Sequence, residues 1–120
     1  MNKKNISMIN SIVLCLLLLI SSVAMAETGN AVHYSDKFQG KKTASNEIFD
    51  QNGLTGAHKK LPFGTKVKVT NLSNDRSVVV KVNDRMTRKN RNVIDLSKRA
   101  AEELDFVKKG HARVKLEVVN

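Results

Sequence analysis

Lys66-Val67-Lys68-Val69-Thr70 alternates polar and apolar residues with a period of two, Asn71 to Asp75 supplies turn residues, and Ser77 to Val82 runs back. A period of two keeps one face of a strand on a core and the other in water, so this segment predicts a β-hairpin. The returning strand carries Val78, Val79, Val80 and Val82, which predicts burial of part of it on both faces, at the centre of a closed sheet. A third strand is expected at Asn92 to Ile94. A fourth follows Gly110, where Ala112, Val114, Leu116 and Val118 alternate with polar residues. One helix is expected, with Ser97 as N-cap and Leu96, Ala100, Ala101 and Leu104 as its apolar stripe. From Tyr34 to Gly64 the apolar pieces are short and broken by Gln39-Gly40, Asn52-Gly53 and Pro62-Phe63-Gly64, which predicts loops lying over a barrel. No repeat or linker divides the chain, and one small mainly-β barrel with a short helix is the economical fold.

The first 26 of the 120 residues read differently. Lys3 and Lys4 precede the apolar run Ile12 to Ile20, and Ala24-Met25-Ala26 offers a small-x-small cleavage site before Glu27. That order predicts a secretory signal peptide over 1–26, since nine apolar residues fall short of the roughly 20 a membrane-spanning helix needs. The expected mature domain is 27–120, 94 residues, enough for one core and not for two. With Lys3 and Lys4 set aside, 19 basic side chains face 11 acidic ones, a net charge of +8. In an exported protein this charge points to anionic envelope polymers or headgroups and away from nucleic acid. Cys15, the sole cysteine, lies inside the apolar run behind Leu14, so neither a disulfide nor a lipid anchor is expected. His33, His58 and His111 are widely separated and show no metal-ligand spacing; no metal and no cofactor are expected.

Polar residues concentrate where sheet packing gives no reason for them. Glu47 and Asp50 flank Ile48-Phe49, His58 follows Thr55-Gly56-Ala57, and Asn83-Asp84-Arg85 ends the most apolar strand. A carboxylate at the end of a buried strand sits where desolvation raises its pKa, which suits a general acid. On these residues alone, Asp84 pairing with Arg85 or capping a turn, His58 serving as a packed hydrogen-bonded residue, and Glu47 and Asp50 as surface charges all stay open.

The order of the blocks narrows the choice. Phe38-x-Gly40-x-Lys42-Thr43-Ala44-x-x-Glu47-x-Phe49-Asp50 is followed by Leu54-Thr55-x-Ala57-His58-Lys59-x-Leu61-Pro62-Phe63-Gly64-Thr65. Then come Val67-x-Val69-Thr70-Asn71-Leu72, Val78-Val79-Val80-x-Val82-Asn83-Asp84-Arg85, and Ile94-Asp95-Leu96-Ser97 with Ala100-Ala101. This series resembles the rare lipoprotein A (RlpA) family over nearly all of 27–120. The resemblance implies a six-stranded double-psi β-barrel with one or two short helices, related to expansin and barwin barrels. It also implies an endolytic lytic transglycosylase acting on peptidoglycan glycan strands, often stripped of their stem peptides. By position, Asp84 matches the family's essential aspartate, His58 its essential histidine, and Glu47 and Asp50 acidic residues of the same cleft. Asp84 is then the expected acid and base, with His58 hydrogen-bonded to Asp84 or to the sugar and Glu47 stabilising the oxocarbenium-like transition state. Asn83, Arg85, Asp50 and Tyr34 are expected to bind substrate; Phe63 is a further candidate, with buried packing its expected use.

The chain departs from the pattern beside the proposed acid. Met86-Thr87 stands where members have Gly-Pro, Asn92 where they have arginine, His33-Tyr34-Ser35 where they have Trp-Tyr-Gly, and Asn46 where they have glycine. The basic cluster Arg85, Arg88, Lys89 and Arg91 is a candidate replacement contact for anionic wall polymers, or simply a solvated loop. No SPOR domain is expected after the barrel. A monomer in the periplasm or envelope, or secreted, is expected, without stable membrane insertion and with recruitment by an envelope protein open. Two competing functions remain: a non-catalytic, expansin-like wall-binding or wall-loosening module, and a small exported effector that binds a protein partner.

Overall fold

A computed structural model describes residues 26–119. The predicted signal peptide lies outside the described residues except for Ala26, which heads the first strand. Six strands close into a barrel: β1 (Ala26–His33), β2 (Thr55–His58), β3 (Lys66–Asn71), β4 (Ser77–Arg85), β5 (Ile94–Leu96) and β6 (His111–Val119). Their order around the barrel is β1-β5-β2-β4-β3-β6. The β1/β5 and β2/β4 pairs are parallel, and the remaining pairs are antiparallel. One helix, α1 (Lys98–Glu103), follows β5.

The expected hairpin is β3/β4, with Val67 opposite Val80 and Val69 opposite Val78. Asn71 anchors its turn: Oδ1 accepts the Ser73 N–H at 3.0 Å, and Nδ2 donates to the Leu104 carbonyl at 2.8 Å. Val67, Val69, Val80, Val82, Ile94, Leu96, Val114 and Leu116 fill the barrel. Helix α1 adds Ala100 and Ala101 to that core, together with Leu104 at its C-cap. Ser97 caps the helix as the sequence predicts, accepting the Ala100 N–H at 3.3 Å while its hydroxyl donates to the Gly53 carbonyl at 2.7 Å.

Three expectations need correction. Strand β4 is buried on both faces only at Val82 and Asn83; before them Val80 points into the core while Val79 is 43% exposed, because no layer covers the outside of the barrel there. The third strand runs Ile94–Leu96 and not Asn92 to Ile94. Asn92 is held in a turn by its N–H on Asn90 Oδ1 and by Asn30 Nδ2 on its own Oδ1, and pairing with β1 and β2 begins only at Ile94. The stretch from Tyr34 to Gly64 is mostly loop but contains β2, and β1 precedes it unforeseen.

Glycine hides both of these strands. A Cβ at Gly29 of β1 would come within 2.2 Å of Val93 Cγ1, so close packing demands the residue that weakens the strand signal. At Gly56 of β2 a Cβ would meet the Asp95 carbonyl and the Ile94 and Leu96 side chains, each at 3.3 Å.

Candidate active site

The site grows from an irregularity between β2 and β4. Gly56 is opposite Val82, but the next residue, Ala57, is opposite Asp84, so Asn83 is an extra residue on β4. A bulge of this kind changes the phase of the inward and outward alternation. Val82 and Asn83 are consecutively buried, and Asp84 emerges partly exposed where strict alternation would have turned it into the core.

Three donors fix the Asp84 carboxylate. Oδ2 accepts the Tyr34 hydroxyl at 2.5 Å, and Oδ1 accepts the backbone N–H groups of Ala44 and Arg85, each at 2.9 Å. Ala44 reaches it because the chain doubles back through the Lys42–Ile48 bridge, with Thr43 N–H on the Glu47 carbonyl at 2.8 Å. Asn46 makes that reversal possible at φ 74°, taking the left-handed conformation in place of the family's glycine. Tyr34 stacks on Phe49 with ring centroids 4.3 Å apart and meets Phe38 edge-on at 5.8 Å. Burial foremost, and then its bond to Asp84, pushes the phenol's pKa far up, so Tyr34 stays a donor.

A second carboxyl, to which the sequence reading gave no role, faces the same place. Asp95 on β5 is also opposite Ala57. Directly opposed residues present their side chains on one face of a sheet, so Asp84 and Asp95 flank the small Ala57 from two sides, about 10 Å apart at the backbone. Burial pushes the Asp95 pKa up to about 6; nearby His33 opposes this rise and Asp84 adds to it. Its Oδ1 is buried without a hydrogen-bond partner. The signal available in the sequence was a lone charge between the core residues Ile94 and Leu96.

The other expected site residues are placed differently. His58 is 4% exposed and does not bond Asp84; it lies on the wall of a cavity of about 210 Å³ with Glu27, Lys60, Leu61 and Val118. Register accounts for this, since Ala57 faces the carboxylates and the next residue along a strand faces the other way. Glu47 pairs with Lys81 at 2.9 Å, both half-exposed. Asp50 shapes a turn, Oδ1 accepting from Asn52 N–H at 3.0 Å and Gln39 Nε2 at 3.4 Å. Tyr34 is packed beneath Asp84 and is no open platform for sugar. Asn83 is 2% exposed and lends its carbonyl to Ser45 N–H. Arg85 is tied to carbonyls of the 58–61 turn and lies over Phe63, which is 44% exposed and not packed inside. Met86, in the family's glycine position, is buried with Tyr34, Phe49 and Ala57 as the apolar bed of the site. Among the described residues, no group of three or more His, Cys, Asp or Glu side chains is placed to hold a metal.

A closed six-stranded barrel with two parallel strand pairs, and two carboxyls on one face beside β2, defines a double-psi β-barrel. The lytic transglycolase family profile matches residues 26–116, and the chain belongs to that family. It is 52% identical over 99 residues to the endolytic peptidoglycan transglycosylase RlpA of Campylobacter jejuni, covering 81% of this chain and 36% of the relative. It is 47% identical over 93 residues to the protein of the same name from Neisseria meningitidis, covering 78% and 39%. The chain thus spans little more than a third of the length of these relatives. Among solved structures, a Streptomyces papain inhibitor superposes with a TM-score of 0.64 at 24% identity, over 79% of this chain and 94% of the inhibitor. The apo expansin of Clavibacter michiganensis gives 0.63 at 22%, over 80% and 51%. Both likenesses speak for the fold alone.

Proposed function

We propose that this protein is an exported endolytic peptidoglycan lytic transglycosylase. It cleaves the bond between N-acetylmuramic acid and N-acetylglucosamine, leaves 1,6-anhydro ends, and acts on glycan strands freed of stem peptides. The observation that carries the reading is the pair of unlike carboxyls across Ala57: Asp84, held by three donors, and Asp95, lifted by burial to about 6. The names of the relatives support the reaction class.

A lytic transglycosylase needs one group that gives a proton and takes one back. Asp95 suits that role better than Asp84, because a carboxyl with a pKa near 6 is part-protonated at working pH while its partner is surrounded by donors. The Asp95 proton goes to the glycosidic oxygen as the C1–O bond breaks, and positive charge develops on the sugar ring. The Asp84 carboxylate stabilises that charge. The muramyl C6 hydroxyl then attacks C1 and returns its proton to Asp95, closing the anhydro ring without water. A hydrolase would instead use its second carboxylate to attack or to activate water.

Location in the periplasm or envelope follows in this reading from the Lys3-to-Ala26 pattern, and the basic residues Arg88, Lys89 and Arg91 offer contacts to anionic wall polymers. One observation favours the second reading, a non-catalytic wall-binding module: Met86-Thr87 replaces the Gly-Pro that follows the aspartate in the family pattern. Digestion of intact sacculi and of amidase-treated glycan, followed by mass spectrometry, separates the two. Anhydromuramyl ends that vanish in Asp95→Asn support the enzyme, whereas binding without release by the unaltered protein supports the module.

A further inference from the structure

His58 ends β2 with both ring nitrogens engaged away from Asp84. Nδ1 accepts the backbone N–H of Lys60 at 3.0 Å and that of Leu61 at 3.1 Å. A nitrogen that accepts two amide hydrogens carries none of its own, so the neutral ring bears its proton on Nε2, 3.4 Å from Glu27 Oε2. The two bonds curl residues 58–61 so that the carbonyls of His58 and Leu61 converge. Arg85 Nη1 donates to both, at 3.0 and 2.8 Å, and the guanidinium carbon lies 4.5 Å from the centre of the Phe63 ring. The Met86 N–H donates to the same His58 carbonyl at 3.2 Å, and the Arg85 N–H donates to Asp84 Oδ1 at 2.9 Å. One turn thus holds Arg85 by its side chain and Met86 by its N–H, immediately after the Arg85 N–H that bonds Asp84.

From this relay we propose that His58 is a positioning residue: its Nδ1 lone pair shapes the 58–61 turn, the turn's carbonyls hold Arg85 and Met86, and the Arg85 N–H fixed in this way holds the Asp84 carboxylate in place. The inference rests on the transglycosylase reading and specifies how a histidine that touches neither carboxylate serves it. It demands an acceptor at Nδ1 and makes no demand for a donor at Nε2. Burial, with Arg85 and Lys59 adding to it and Glu27 opposing it, lowers the ring's pKa and keeps that acceptor open near neutral pH. A proton on Nδ1 would break both hydrogen bonds from the Lys60 and Leu61 N–H groups.

Asparagine places its side-chain oxygen about where histidine has Nδ1, whereas glutamine reaches toward Nε2. His58→Asn, His58→Gln and the unaltered chain are compared on peptide-free glycan by release of anhydromuramyl ends. Amide exchange at Lys60 and Leu61 and nitrogen spectra of the unaltered ring are recorded alongside. Expected are a ring protonated on Nε2, slow exchange at both amides in His58→Asn, and kcat for that variant within about tenfold of the unaltered protein. In His58→Gln fast exchange is expected, with kcat lower by on the order of 100-fold. Activity in His58→Gln equal to or above that of His58→Asn overturns the proposal, as does a ring protonated on Nδ1. So does a folded His58→Asn that keeps both amides protected and has no activity. If the unaltered protein releases no ends from any glycan, the transglycosylase reading falls; the ring tautomer and the exchange comparison then decide the turn's role by themselves.

Discussion

Asp84 on β4 and Asp95 on β5 both stand opposite Ala57 of β2, so one small residue separates two carboxyls of opposite environment. Asp84 accepts three hydrogen bonds, whereas Asp95 has a buried oxygen with none. Burial favours the protonated form of Asp95, while the three donors fix where the Asp84 carboxylate lies.

Asp95→Asn is therefore expected to lower kcat by about 10²–10⁴-fold, the usual worth of a positioned acid. Transglycosylase activity of the unaltered protein should fall as pH rises above about 6, because Asp95 must start protonated. Asp84→Asn removes a charge that raises the Asp95 pKa, so the residual activity of that variant should fall away at lower pH than in the unaltered protein. Rate against pH for the three proteins checks this, and an unchanged profile in Asp84→Asn would show that the two carboxyls do not sense each other.

Tyr34→Phe keeps the stack on Phe49 and deletes one donor to Asp84. A hydrogen bond to a charged group is worth about 1.5–3 kcal/mol, so chemical denaturation should find a loss of that order, with folding retained. The kcat should drop while glycan binding changes little, since the ring lies beneath the carboxylate. A raised KM with unchanged kcat would make Tyr34 a sugar contact after all.

The pH dependence of stability has two contributors of opposite sign. Asp95 has a folded pKa above its ordinary value of 3.8, so the folded state holds its proton longer than the unfolded chain. Its stabilising effect is full below about pH 4 and is lost as pH rises to about 6. The carboxyl is partly open to solvent, which discounts the linkage to about 1–2 kcal/mol; Asp95→Asn should be more stable than the unaltered protein by that amount at pH 7. His58 has a lowered folded pKa, so its contribution is present above about 6.5 and lost as pH falls through the lowered value. Thermal melts from pH 4 to 8 should show Asp95→Asn losing the decline between 4 and 6, and an inactive variant that is no more stable at pH 7 would count against burial as the origin of the shift.

What the sequence revealed and what it concealed divide along the same physical line. The β3/β4 hairpin, β6 and the Ser97-capped helix were legible because period two, turn residues and a cap act locally. Strands β1 and β2 were not, because Gly29 and Gly56 answer to neighbours distant in the chain. Asp84 was legible as a carboxylate ending an apolar strand. Its outward turn depends on the bulge at Asn83, and the role of Asp95 depends on register across β2, neither of which a linear pattern encodes. Of the two partners expected for His58, Asp84 or the sugar, the first is not met for the same reason, since adjacent residues of a strand face opposite ways.

Gly29 gives a direct test of that long-range constraint. In Gly29→Ala the new methyl would overlap Val93 Cγ1, which a Cβ would approach to 2.2 Å, and a β-branched side chain has little rotamer freedom to withdraw. Overpacking of this kind costs about 1–3 kcal/mol, against a small gain expected from replacing glycine inside a strand. The double variant Gly29→Ala/Val93→Ala removes the obstructing methyl groups and should recover part of the loss, although it forfeits some of the valine's burial. Urea denaturation of the two single variants and the double variant measures the coupling as a double-mutant cycle. Additive losses would mean that β1 shifts away from the 90–93 turn, and that the glycine is there for backbone freedom and not for the close approach to Val93.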